Sequence, residues 1–96
     1  MAYGYMGSMK TQPGKRDEVV GILLSSLRTA GCVRYTVAVS PGDDSTIWTS
    51  EVWGSKERHD ASLQLPGAKE AIARAMPMLT GDFTRIETAV LGGIGL

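Results

Sequence analysis

A single α+β domain of ferredoxin-like type is the fold this sequence predicts, with element order βαββαβ and a four-stranded antiparallel sheet carrying its helices on one face. Three observations lead there. A chain of 96 residues buries only roughly 60 to 65% of its unfolded surface, so a single core must serve all of it. The composition is ordinary for a globular protein, with 43% hydrophobic and 21% charged residues. Stretches that alternate with a period of two residues are interleaved with stretches of helical spacing, and Gly and Pro punctuate the changes. One domain over residues 1–96 is therefore expected, without internal repeats.

The elements follow in order. Ala2 to Met9 alternates, with Tyr3, Tyr5 and Met9 on one side and Met6 on the other, which fits a first strand. Its glycines suggest close approach by another backbone or a ligand. After the breaker Pro13-Gly14, Asp17 and Glu18 suit a helix N-terminus. Val19, Val20, Leu23, Leu24 and Leu27 then form an apolar face, and Gly31 is placed to end the helix. Cys32 to Ser40 is β-branched and alternating, with Val33, Tyr35, Val37 and Val39 on one face. Pro41-Gly42-Asp43-Asp44-Ser45 is turn chemistry, and Thr46 to Trp53 resumes strand residues, so the two form an antiparallel hairpin. Ser55 can cap a helix from Lys56 to Leu65, which Pro66 should split or kink. Helical spacing continues from Ala68 to Leu79, Gly81-Asp82 ends it, and Phe83 to Leu91 is a last strand. The Gly92-Gly93 tail is expected to be mobile or to reach toward a partner.

Charge and cysteine content exclude several classes. Ten Lys plus Arg balance ten Asp plus Glu, so no basic stripe supplies the field that binds nucleic acid. A lone Cys32 forms no internal disulfide and, with one histidine in the chain, no Cys/His cluster can hold zinc or an iron–sulfur centre. No Gly-rich nucleotide fingerprint is present. The first ten residues lack a signal-peptide pattern, and no run approaches the roughly 20 apolar residues that span a bilayer. A cytoplasmic protein without metal, flavin or haem is expected. Several strands carry apolar residues on both faces, so a homodimer with sheet packed on sheet is also expected.

The segment Glu51-Val52-Trp53-Gly54-Ser55-Lys56-Glu57-Arg58-His59-Asp60-Ala61-Ser62-Leu63 resembles the antibiotic biosynthesis monooxygenase (ABM) family, in particular its small quinol-monooxygenase-like members, which carry a similar E-x-W, His and Ser-Leu pattern. Pro13-Gly14-Lys15, Gly31-Cys32-Val33-Arg34-Tyr35 and the Ile72 to Leu79 stretch with its Met-Pro-Met-Leu ending extend the likeness over nearly the whole chain. What the resemblance implies is a dimeric α+β barrel with a pocket in each subunit between sheet and helices. In some members it also implies oxygenation of electron-rich aromatics by O2 without a cofactor.

Individual residues then gain candidate roles beside ordinary ones. His59, the only histidine, is the side chain suited to proton transfer near neutrality, or else a helix-start residue that caps or packs. Trp48 and Trp53 could wall a pocket for a planar substrate, or anchor core and interface. Tyr35 could hydrogen-bond a substrate oxygen, or pack its ring with the hydroxyl at the edge. Glu51 could orient His59, or pair with Arg34 or Arg85 across neighbouring strands. Ser62 and Asp60 complete the motif without a readable nucleophile arrangement. Relatives of this fold that degrade haem need an Asn on the first strand plus a helical Trp and His, whose positions fall near Ser62 and Lys69 here, so that activity is disfavoured. The expected function is cofactor-independent oxidation of a quinol, anthrone or related phenol. A non-catalytic small-molecule-binding dimer and an isomerase or lyase on the same fold are the alternatives.

Overall fold

The computed structural model describes residues 2–26 and 31–96. It contains β1 (Ala2–Thr11), α1 (Arg16–Ser25), β2 (Cys32–Val39), β3 (Thr46–Trp53), α2 (Lys56–Ser62), α3 (Pro66–Ala75), a 3-10 turn (Met76–Met78) and β4 (Leu79–Val90). The strands form one antiparallel sheet in the order β2-β3-β1-β4. This is the ferredoxin-like α+β arrangement, with the helical region after β3 divided at Pro66 as its fixed φ and missing N–H dictate.

The core lies between helices and sheet. Val19 and Ile22 of α1, Ile47 of β3 and Ala75 of α3 are its buried centre, and Met9, Val37 and Leu79 pack against it. The predicted apolar face of α1 is thus present, although Leu24 is half exposed. Leu27 lies outside the described residues, and α1 has already ended at Ser25. Gly31, the expected helix end, has φ +88 and instead leads into β2, where its carbonyl accepts from the Gly54 N–H.

The hairpin between β2 and β3 owes its turn to Asp43. One carboxylate oxygen accepts from the backbone N–H of Ser45 at 2.8 Å and of Thr46 at 3.1 Å, an Asx-type closure. The Thr46 hydroxyl, which donates to the other carboxylate oxygen, and then those backbone bonds hold the Asp43 carboxyl down at about 2.

Three local expectations need correction. Cys32 pairs with Trp53 and Arg34 with Val52, so Val33 is an extra residue in β2 and is 55% exposed rather than on the face of Tyr35. Helical structure stops at Met78, because Pro77 has no N–H to continue the ladder, and Leu79 opens β4. Gly81, at φ +89, is therefore inside the strand and not a terminator. There β4 bulges against Lys10, and Thr80 closes the gap by donating to the Lys10 carbonyl at 3.0 Å.

Strand parity decides which side chains meet. Tyr3, Tyr5, Gly7 and Met9 of β1 share the helix-covered face with Ile47, Thr49, Glu51 and Trp53 of β3. Met6, Trp48 and Ile86 occupy the opposite face and are all exposed.

Candidate functional site

Ser55 starts α2 by accepting from the backbone N–H of Arg58 at 3.2 Å, which fixes the helix at the end of β3. Four residues on, His59 is turned down onto the sheet and is only 6% exposed. Its ring stacks on Tyr5, with centroids 4.9 Å apart and planes at 26°. Tyr3 lies at 5.2 Å, and Trp53 presents an edge at 5.5 Å. This box arises from two-residue periodicity alone: Tyr3 and Tyr5 are alternate residues of β1, and Tyr3 pairs across to Trp53.

Carboxylates flank both ring nitrogens. Nδ1 is 2.9 Å from Asp60 Oδ1, and Lys56 Nζ is 3.3 Å from the other oxygen of the same carboxylate. The His59 bond, then Lys56, hold the Asp60 carboxyl below its ordinary range. Nε2 faces Glu51 Oε1 at 4.0 Å, and the Trp53 indole N–H donates to that oxygen at 2.9 Å. Burial raises the Glu51 carboxyl, against the opposing pull of the Trp53 bond and the His59 charge. Tyr35, paired with Glu51 on the neighbouring strand, is pushed up to about 12 by burial and by the Glu51 charge. Its hydroxyl accordingly remains a proton-bearing donor at neutral pH. Ser62 spends its hydroxyl on the His59 carbonyl at 2.6 Å, which leaves no activated nucleophile there.

These groups open onto a cavity of about 350 Å3 between the sheet and the helices. Tyr35, Glu51, Trp53 and His59, four of the five residues singled out in the sequence, line it together. Trp48 does not. It sits one residue out of phase with Ile47, Glu51 and Trp53, so the pleat sends it to the other face, where its indole N–H donates to Ser40 Oγ at 3.0 Å. The alternative pairing of Glu51 with an arginine is also absent among the described residues: Arg34 donates to the Ile94 carbonyl, and Arg85 lies over the Phe83 ring at 5.4 Å. Sequence reasoning gave no pocket role to Tyr5 or to Arg85, which line the cavity as well. The alternation of β1 carried the signal for Tyr5, whereas Arg85 reaches the cavity only through the β1–β4 pairing.

Two other depressions, of about 370 and 400 Å3, run along α1 and α3 beside Ser25, Glu70 and Arg74, away from His59. Among the described residues no group of three His, Cys, Asp or Glu comes together as a metal site. No helix among them is long and apolar enough to cross a membrane.

The family model described as antibiotic biosynthesis monooxygenase matches residues 2–74. Among solved structures, a protein of Chloroflexus aurantiacus J-10-fl described as an antibiotic biosynthesis monooxygenase is 40% identical, with a TM-score of 0.90 over 97% of this chain and 96% of its own. A Caulobacter crescentus protein of the same description superposes with a TM-score of 0.85 at 19% identity, covering 95% of this chain and 91% of its own. A mutant of SnoaB, a cofactor-independent oxygenase from Streptomyces nogalater, does so at 0.80 and 14% identity, covering 97% and 96%. At those identities the last two show the shared fold alone. Among curated proteins no relative matches.

Proposed function

The chain belongs to the antibiotic biosynthesis monooxygenase family, and on that premise we propose that it oxidises a quinol, anthrone or related phenol with O2, without a cofactor, in the cavity His59 faces. The observation that carries the reading is a buried imidazole placed between Glu51 and Asp60 at the wall of a largely apolar cavity. His59 Nε2 takes the phenolic proton, and Glu51 is the counter-charge for the ring that results. The Tyr35 hydroxyl hydrogen-bonds the oxygen left behind. The electron-rich anion then reduces O2 itself, while the apolar walls exclude water. In the net reaction the substrate loses two hydrogens and gains one oxygen atom, and the second oxygen leaves as water.

Oxygen uptake with candidate quinols and anthrones, and product mass under labelled O2, test this. Uptake with one labelled oxygen in the product is the expected outcome. Tight binding without uptake favours the binding-module alternative, and turnover to a product without added oxygen favours an isomerase or lyase.

Asp60 enters this mechanism by fixing the tautomer. If Nδ1–H donates to Asp60, the lone pair of neutral His59 sits on Nε2, toward the cavity. With a single histidine in the chain, nitrogen-labelled imidazole gives one ring to observe by NMR. Wild type is expected to show the Nδ1–H form when neutral, and Asp60→Ala to lose that preference with a drop in turnover of about 10-fold or more. An Nε2–H ring in wild type removes Asp60 from the mechanism.

The uncovered sheet face supports a homodimer as part of this reading. Met6, Trp48 and Ile86 are exposed there around a hollow of about 280 Å3, and a second copy would cover it. Sedimentation at micromolar concentration is expected to show twice the 10.2 kDa chain mass, and Trp48→Glu to weaken the association. A lone 10 kDa species removes the dimer.

A further inference from the structure

The cavity has two chemically different ends. Along β1, Tyr5 pairs with Glu51, Met9 with Ile47 and Phe83, and Thr11 with Leu79. From Tyr5 to Met9 is four residues, a distance of about 14 Å. Glu51, His59 and Tyr35 gather at the Tyr5 end. At the Met9 end the lining is Ile22, Leu79 and Phe83 together with Ala71 and Ala75 of α3. Ser26 also borders the cavity, but its hydroxyl is bound back to the Leu23 carbonyl at 3.0 Å. Arg85, opposite Gly7 and thus midway, is exposed at the rim. Ile72 and Met76, both cavity-lining, are 47% and 51% exposed, so the apolar arm opens to solvent between exposed apolar side chains.

We propose that the substrate is a phenol carrying a linear apolar substituent, with its hydroxyl at His59 and its chain lying along the Met9 end and out past Ile72 and Met76. This rests on the phenol reading above and narrows it. A compact phenol fills only the polar end. It leaves the apolar arm wet and the Ile72 and Met76 side chains uncovered. An alkyl or prenyl chain removes both from water, which is where affinity is gained. Among the described residues the polar side chain at the Met9 end is Ser26, whose hydroxyl proton is already given to the Leu23 carbonyl, so a flat polycycle with oxygens at both ends finds no free donor there.

The test is a binding series of 4-alkylphenols, from phenol to the eight-carbon chain, measured by calorimetry without O2. Each added methylene is expected to tighten binding up to about 3- to 4-fold, levelling off once the chain emerges past Met76. Ala71→Leu, checked for an unchanged melting curve, should shorten the chain length at which the gain stops while phenol itself still binds. A flat series in wild type overturns the proposal, as does a gain that Ala71→Leu leaves intact, since the chain is then not in the arm. Failure of the phenol reading shows differently, as no binding of phenol or of any member. Failure of the oxygenase reading shows as chain-dependent binding of the corresponding alkylquinols without O2 uptake.

Discussion

His59→Ala is expected to slow oxygen consumption by about 10- to 1000-fold per folded molecule, since a positioned base typically contributes on the order of 100- to 10,000-fold and an acidic phenol does part of the work itself. His59→Gln should fare no better, because an amide hydrogen-bonds but does not accept a proton near neutrality. The ring is also a packing element, buried among Tyr3, Tyr5 and Trp53, so both variants lose some stability. The two roles separate on turnover normalised to folded protein across about pH 5 to 9. A base shows as depressed rates in both variants throughout that range. A packing residue shows as lowered melting with wild-type rates. Normal rates in both variants would move the proton transfer to Glu51, the carboxylate that faces His59 at that end of the cavity.

The fold was legible because its signals are local. Pro41–Ser45 closes a hairpin through Asp43, Ser55 caps α2, and Pro66 divides the helical region. Each signal acts within a few residues of itself. Misread positions involve competition between neighbours instead. Gly81 looked like a helix stop, yet Pro77 had already ended the helix, and the glycine's freedom served a bulge in β4. Trp48 looked like a pocket wall because it is large and near Trp53 in sequence, but an odd spacing along a strand separates faces. The candidate site was legible in Glu51, Trp53 and His59 of one motif and in Tyr35 of strand β2, which line one cavity. Tyr5 and Arg85 join it from strands distant in sequence, and no spacing rule reports a contact set by sheet order. Asp60, read in the sequence only as completing the motif, comes within 2.9 Å of Nδ1 of its own neighbour through the orientation of the His59 ring, which no spacing reports.

Ile47→Ala is expected to cost about 2 to 5 kcal/mol, against about 0.5 to 1.5 for Ile47→Val. Ile47 is fully buried, and the groups around it come from every layer of the domain: Val19 and Ile22 from α1, Ala75 from α3, and Met9 across β1. Truncation leaves a cavity that these rigid elements close only in part. In a domain whose whole stability is about 5 to 15 kcal/mol, the alanine variant loses a large share of it. Its melting point should fall on the order of 10 to 30 °C. The next residue supplies the contrast, since Trp48 is larger but stands on the exposed face. Loss of Trp48 should act through association and depend on protein concentration, whereas the Ile47→Ala loss should persist at every concentration. Urea unfolding of both variants at two protein concentrations separates them. An Ile47→Ala midpoint equal to wild type would mean that the contact joining α1, α3 and the sheet is not the centre of the core.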